Sequence, residues 1–283
     1  MVYLGIVSLL WAFSFGLIGS ALSSVDSFFV STVRLGCATL LFLPFVRLHK
    51  LGNSDRLRLI VIGAVQFGLM YACYMQAFQY LPSHQVALFS IFTPVYVVVI
   101  HSLRNQFFSY RYLVAAILAI MGAGAIKAQS IPTGDFWVGF GLMQLANLSF
   151  AYGQVAYREW KIKNKEIPDQ EVFSMLTIGG VFIVGLASFI LTDWSTLEVS
   201  ESEWTAILYL GFVASGLGFY FWNKGASRTN PGLLAAFNNG VVPLAVLISL
   251  YIFGESESFS IEKSIRLIIG SLLIIAGIFT ATK

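Results

Sequence analysis

The feature that most constrains the fold is a series of apolar runs, each long enough to cross a membrane. Ten such runs of about 18 to 23 residues follow one another with short polar breaks between them. They cover residues 2–20, 27–46, 57–79, 84–102, 109–127, 134–157, 170–192, 203–222, 231–252 and 264–281. Charged residues make up only 11% of the chain, against roughly 25% in soluble domains. The sequence therefore predicts an all-α integral membrane protein with ten transmembrane helices.

The distribution of Lys and Arg predicts the orientation, because cytoplasmic loops of membrane proteins are enriched in them. With the N-terminus inside, thirteen of these residues lie on the cytoplasmic side, three lie outside and Arg34 lies within the second helix. The outside group is Lys127, Lys263 and Arg266. Both termini and the loop at 158–169 are therefore predicted to be cytoplasmic. The first run has neither a basic start nor a cleavage site, so it is predicted to be a retained helix rather than a signal peptide.

The two halves of the chain repeat one plan at an offset of 149 positions. The identities at this offset are Tyr71/Tyr220, Ala77/Ala226, Pro82/Pro231, Ala87/Ala236 and Pro94/Pro243. Dividing the chain into repeats 1–129 and 130–283 gives five helices to each. An odd number of helices per half makes the second half enter the membrane from the opposite side, so the repeats are predicted to be inverted.

Pro94 and Pro243 fall inside apolar runs, where a proline cannot donate a helical hydrogen bond. We expect hinges in both helices, with the carbonyls of Ser90 and Asn239 left free. Interrupted helices at corresponding positions of two repeats are the best pointer in a sequence to the binding site of a transporter.

Several motifs resemble the EamA domains of the drug/metabolite transporter superfamily. They are LWAFSF in the first helix, Arg34 within VRLG, and Gly122 and Gly277 near the ends of the two halves. Within the superfamily, the bacterial biotin transporters are similar in VDSFF, FTPVY, QLANLSFA, GFVASGLGFYFWN and FNN. The resemblance implies inverted five-helix repeats around a central cavity, with biotin as the substrate. The segment 83–85 differs from that group, which leaves a different substrate open.

Arg34 is the basic residue placed well inside a predicted helix. A charge at this depth costs at least ~2.5–3.5 kcal/mol on insertion scales, so it is normally paired or faces a polar cavity. One interpretation is a counter-ion for a substrate carboxylate, which a guanidinium can hold through two bonds. The alternative is a structural arginine that donates to carbonyls at a helix end.

Asn238 and Asn239 lie on the turn before Pro243 and offer amide donors and acceptors there. Such groups suit a urea, amide or carboxamide head, although asparagine also joins membrane helices. Gln144, Asn147, Ala151 and Gln154 share one face of the sixth helix, which predicts a polar lining. On the third helix we favour Gln76 over Gln66 as a lining residue.

Aromatic side chains near these groups would supply the apolar wall that a ring-bearing substrate needs. The candidates are Trp11, Phe13, Tyr71, Tyr74, Tyr220 and Trp222. The full substrate-binding hypothesis therefore comprises Asn239, Asn238, Arg34, Asn147, Gln144, Gln76, Tyr71, Tyr74, Trp11, Tyr220 and Trp222, with Pro94 and Pro243 as structural hinges.

The sequence has no pattern typical of a catalytic pair, a Walker A loop or a metal site. We expect no enzyme activity, no cofactor, no metal and no nucleic-acid partner. All fourteen acidic residues lie in loops or at helix ends, and His84 is the sole candidate for proton coupling. The prediction is a secondary transporter that moves a small carboxylate such as biotin across the bacterial inner membrane by alternating access. The alternative is an exporter of amino acids or amines.

Overall fold

The computed structural model describes residues 1–22, 24–77, 79–81, 86, 89–127, 136–251 and 261–282. Ten helical passes occupy this part of the chain, in the following order. They are α1 (Val2–Ala21), α2 (Ser27–Phe42), α3 (Asn53–Ala77), α4 (Thr93–Asn105), α5 (Tyr110–Lys127), α6 (Phe136–Lys163), α7 (Asp169–Leu191), α8 (Glu201–Ser227), α9 in two pieces (Pro231–Asn238 and Val241–Tyr251) and α10 (Ile261–Thr282). Pro82, Ala87 and the segment 83–85 with His84 lie outside the described residues.

Five of the described helical stretches are long and apolar enough to cross a membrane on their own. They are Ser27–Phe45, Asn53–Ala77, Asp169–Leu191, Glu201–Ser227 and Ile265–Thr282. Val2–Ser14 and Tyr110–Ala125 are shorter apolar helical stretches. The predicted all-α fold of ten helices in two inverted five-helix repeats is confirmed.

The end of α6 differs from the prediction of a long polar loop at 158–169. The helix continues to Lys163, so that only a short connection precedes α7. Its polar side chains have partners in this extension: Arg158 Nε donates to the Thr229 carbonyl at 2.8 Å, and Trp160 Nε1 donates to Asp55 Oδ1 at 2.7 Å. Tertiary hydrogen bonds therefore stabilise the helix beyond its apolar run.

Both ends of the chain lie at the same side of the helix bundle, which we call the terminal face. The rings of Tyr3 and Phe221 stack with centroids 5.7 Å apart, which places the start of α1 beside the end of α8. Asn230 Nδ2, between α8 and α9, donates to the Ala281 carbonyl of α10 at 2.7 Å. An even number of passes requires this arrangement.

Helices α3 and α8 each contain a π-helical segment, which the sequence pattern did not predict. The segments are Ala64–Leu69 and Leu210–Leu217. Shifted by the repeat offset, the first would cover residues 213–218, so the two overlap. π-Helical segments inside α-helices occur frequently at functional sites because they disturb the regular hydrogen bonding and reorient side chains.

Close packing of α3 against α7 depends on glycines on both helices. A Cβ atom at Gly63 would collide with the Leu176 carbonyl, and one at Gly179 would collide with the Ile60 carbonyl. Small residues at such contacts let membrane helices approach closely. Gly122 and Gly277 serve the same purpose between α5 and α10, where an added Cβ at Gly277 would lie 2.8 Å from the Ala115 carbonyl.

Candidate functional site

A cavity of about 150 Å³ lies between the two repeats. Its walls come from α1, α2, α3, α6, α8, α9 and the start of α4. They comprise Trp11, Ser14, Ile18, Arg34, Met70, Tyr71, Tyr74, Ser90, Thr93, Met143, Ala146, Asn147, Phe150, Phe219, Asn238 and Val241. Ile18, Tyr74 and Met143 belong to the halves of their helices remote from the terminal face. The cavity therefore extends from the middle of the membrane toward the opposite face.

Arg34 brings a positive charge to the cavity wall. The residue is 5% exposed, and its Nε donates to Ser215 Oγ at 3.2 Å. Its Cζ lies 5.1 Å from the centre of the Tyr71 ring, and Tyr71 Oη and Ser215 Oγ are 3.1 Å apart. Within the described residues, Arg34 has neither a carboxylate partner nor a backbone carbonyl acceptor. An anion entering the cavity would therefore meet an unneutralised guanidinium.

The two prolines begin helices instead of bending continuous ones. Pro94 is in the first turn of α4, after the 3-10 turn Ser90–Phe92. Pro243 follows the break in α9, whose second piece starts at Val241. The expected free carbonyls are not free: Ser90 O accepts from Thr93 Oγ1 at 2.8 Å, and Asn239 O accepts from the Val242 N–H at 3.1 Å. Turn geometry at the breaks supplies these local donors.

Two asparagines of the second repeat donate hydrogen bonds to the helix break of the first repeat, which lies just before α4. Asn147 Nδ2 donates to the Phe89 carbonyl at 2.7 Å, and Asn239 Nδ2 donates to the Ile91 carbonyl at 3.0 Å. Asn239 is completely buried and lies outside the cavity lining, so its contact positions the break. Asn147 does line the cavity, and its Oδ1 accepts no hydrogen bond from a described residue.

Asn238 reaches the cavity as part of an amide pair. Its Nδ2 donates to Gln154 Oε1 at 3.1 Å and to the Leu234 carbonyl at 2.9 Å, while Gln154 Nε2 donates back to its Oδ1 at 3.3 Å. Gln154 was predicted to share the polar lining face of the sixth helix, but it is fully buried and lies outside the cavity lining. The interhelical amide bonding expected as an alternative is thus present, and a ligand at Asn238 has to exchange with it.

Four other predicted site residues lie outside the cavity lining. Gln144 accepts from Tyr96 Oη at 3.0 Å, and Gln76 is half-buried on α3. Tyr220 donates to Gln170 Oε1 at 3.2 Å, near the terminal face. Trp222 is 1% exposed and supports the cavity through Trp11, with ring centroids 4.8 Å apart. The lining thus brings together six of the predicted residues: Trp11, Arg34, Tyr71, Tyr74, Asn147 and Asn238.

The cavity is closed toward the terminal face by aromatic rings and a buried amide pair. The rings of Phe67 and Phe219 lie 4.6 Å apart. One residue earlier on α3, Gln66 Nε2 donates to Asn223 Oδ1 at 2.7 Å, and both side chains are fully buried. A Cβ at Gly153 would collide with the Gln66 side chain, so the three helices meet tightly here.

Sequence reasoning did not identify Ser215, Phe219 or Asn223 as site residues. All three lie in or beside the π-helical part of α8, within the motif GFVASGLGFYFWN. A π segment shifts side chains around the helix, so 3.6-residue spacing does not place them correctly. Shifting position 66 by the repeat offset of 149 gives position 215, so the repeat pairs Gln66 with Ser215. This pairing is the one signal in the sequence that points to Ser215.

The described residues contain no group of three or more His, Cys, Asp or Glu side chains that could hold a metal ion. The cavity lining among these residues includes one cation and no acid. A buried, amphipathic chamber between two inverted repeats of membrane helices defines a transporter that carries small molecules. The EamA-like transporter family matches residues 1–128 and 137–282, and the chain belongs to this family.

Curated relatives cover nearly the full length of the chain. A protein of Pseudomonas aeruginosa named "Probable biotin transporter" is 36% identical over 281 residues, covering 99% of this chain and 96% of the relative. Proteins named "Biotin transporter" from Salmonella typhimurium and Escherichia coli K12 are each 34% identical, covering 100% of this chain and 93% of the relative. The chain is accordingly a transporter and not an enzyme.

A solved crystal structure has the same fold at 18% sequence identity. It aligns with a TM-score of 0.78, covering 99% of this chain and 95% of the solved one. The family and its apolar helices together make this chain a multi-pass protein of the inner membrane.

Proposed function

We propose that this protein is a biotin uptake transporter. The observation that supports the proposal most is the full-length identity of 34–36% to proteins named as biotin transporters. The cavity adds chemical support, since biotin has a carboxylate, a cyclic urea and an apolar ring. Arg34 suits the carboxylate, the amide side chains suit the urea, and the aromatic rings suit the apolar ring.

In the proposed complex, the carboxylate binds at Arg34 and the urea binds at Asn147 and Asn238. Asn147 Oδ1 accepts a urea N–H, because its Nδ2 is already used on the Phe89 carbonyl. Asn238 takes part by opening its pair with Gln154. Trp11, Phe150 and Tyr74 form the apolar wall between the two polar ends. Asn239 acts indirectly by holding the break in the first repeat.

The cavity has to widen on binding, since typical small-molecule sites have at least roughly 300 Å³. Opening the Asn238–Gln154 pair enlarges it toward α9. Release to the terminal face then requires separation of Phe67 from Phe219 and of Gln66 from Asn223. No carboxylate lines the described cavity, so we propose facilitated diffusion or exchange rather than carboxylate-based proton coupling.

Counterflow in proteoliposomes tests the substrate directly. Vesicles loaded with unlabelled biotin should accumulate labelled biotin from outside, and protein-free vesicles should not. Amino acids and amines loaded in the same way form the comparison arm. Accumulation of a labelled amino acid with none of biotin would replace biotin with amino acids as the proposed substrate.

We also propose that the terminal face is cytoplasmic and that the repeats divide between residues 129 and 130. The asymmetry of thirteen basic residues against three supports the orientation. Cysteines introduced at Lys163 and Glu198 test it, because both positions are exposed and lie at opposite faces. An impermeant thiol reagent on intact cells should label only position 198. Labelling at position 163 alone would show that the terminal face lies outside the cell.

A further inference from the structure

A second crevice lies at the terminal face, where α3, α4 and α6 meet. Its volume is about 320 Å³. Two guanidinium groups, from Arg58 and Arg104, line it together with apolar side chains. Helices α3 and α4 belong to the first half of the chain and α6 to the second, so the crevice spans the junction between the repeats. It is separate from the central cavity and shares no lining residue with it.

Polar and apolar groups in this crevice are ordered by depth. Helix α3 starts at the terminal face, so Ser54 and Arg58 lie near the rim and Val61 lies deeper. On α6, which ends at that face, Tyr152 is the deep residue. Leu57 and Val61 are 64% and 47% exposed, which leaves an uncovered apolar strip on α3 that runs past Arg58 and continues deeper at Val61. A ligand that fits this order has a charged head at the membrane surface and an apolar chain below it.

The charge in the crevice is only partly neutralised by the protein. Arg104 Nε donates to Glu159 Oε2 at 2.8 Å, and Asn105 Nδ2 occupies the other carboxylate oxygen, also at 2.8 Å. Arg104 Cζ lies 5.6 Å from the Tyr152 ring centre. Arg58 has no hydrogen-bond or carboxylate partner within the described residues. Two cations and one anion leave a net positive charge for an anionic ligand.

We propose that the crevice binds one anionic phospholipid whose phosphate contacts Arg58 and Arg104 and whose acyl chain covers Leu57 and Val61. Guanidinium groups match phosphate oxygens in geometry and charge. Basic pockets between transmembrane helices at the membrane surface are suited to such headgroups. The lipid would join the two repeats at the face where the central cavity is closed. The site does not depend on which substrate is transported.

Native mass spectrometry of the purified full-length protein tests the proposal. Phosphatidylglycerol and phosphatidylcholine with identical acyl chains are added in equal amounts. The wild-type protein should retain one phosphatidylglycerol molecule in preference to phosphatidylcholine. Arg58→Gln should weaken its binding about five-fold, the effect of one basic residue near a membrane surface. Arg56→Gln is the matched control, because Arg56 lies on the same helix but donates to the Leu48 carbonyl and does not line the crevice.

Inorganic phosphate separates a lipid site from a free-phosphate site. Millimolar phosphate should not displace phosphatidylglycerol, because the acyl chain contributes binding that phosphate lacks. Three results would overturn the proposal. They are displacement of the lipid by phosphate, equal retention of the two lipids, and an equal loss of phosphatidylglycerol binding in Arg56→Gln and Arg58→Gln. Arg58 is exposed, so the melting temperature of Arg58→Gln in lipid-free detergent should match that of the wild type.

Discussion

Replacing Arg34 with glutamine should weaken binding of free biotin by about ten- to one hundred-fold while leaving biotin methyl ester nearly unaffected. The estimate follows from the ~1.5–3 kcal/mol that a hydrogen bond to a charged group contributes. Arg34 is 5% exposed and has no carboxylate partner within the described residues, so a bound carboxylate would be its counter-ion. Glutamine can keep a donor for Ser215 Oγ at the position of Nε, while it removes the charge and the outer part of the guanidinium.

Competition assays with purified protein measure this effect, with the acid and the ester competing against labelled biotin. Arg47→Gln is the charge control, because Arg47 follows α2 at the terminal face and lies outside the cavity lining. Tyr71→Phe removes the hydroxyl beside Ser215 Oγ and retains the ring below the guanidinium. Equal losses for acid and ester in Arg34→Gln would assign Arg34 a structural role.

Replacing Gly179 with alanine should destabilise the protein strongly, by about 3 kcal/mol, the upper end of the usual cost of overpacking. The added Cβ would collide with the Ile60 carbonyl, and a backbone atom cannot move aside as a flexible side chain can. Gly63→Ala should behave alike, because its Cβ would collide with the Leu176 carbonyl across the same contact. Helices α3 and α7 would have to separate.

Gly36→Ala is the matched control, because a Cβ at that position on α2 meets no atom within 4 Å. Alanine also favours helix over glycine by up to ~1 kcal/mol, so this variant should be as stable as the wild type or more stable. Size-exclusion chromatography after heating in detergent measures the surviving monodisperse fraction. If the surviving fraction of Gly179→Ala equals that of the wild type, the packing described for α3 and α7 is contradicted.

Much of the architecture could be predicted because membrane insertion leaves a strong one-dimensional signal. Hydrocarbon must be crossed by about twenty apolar residues, so run length alone located the helices. The offset between Pro94 and Pro243 located both helix breaks. The prediction of free carbonyls was wrong, since Thr93 and Val242 supply donors within the turns. Turn geometry of this kind depends on backbone angles that no residue pattern specifies.

The sequence by itself determined the class of the protein, the number of helices, the repeated plan and six of the residues that line the cavity. Only the tertiary structure decided that Asn239 holds a helix break while Asn147 faces the cavity. It also revealed Ser215 beside Arg34 and the pairing of Gln66 with Asn223. The reason is physical: apolar length is a local property of the chain, whereas the partner of a polar side chain depends on helix rotation, and two π-helical segments alter that rotation.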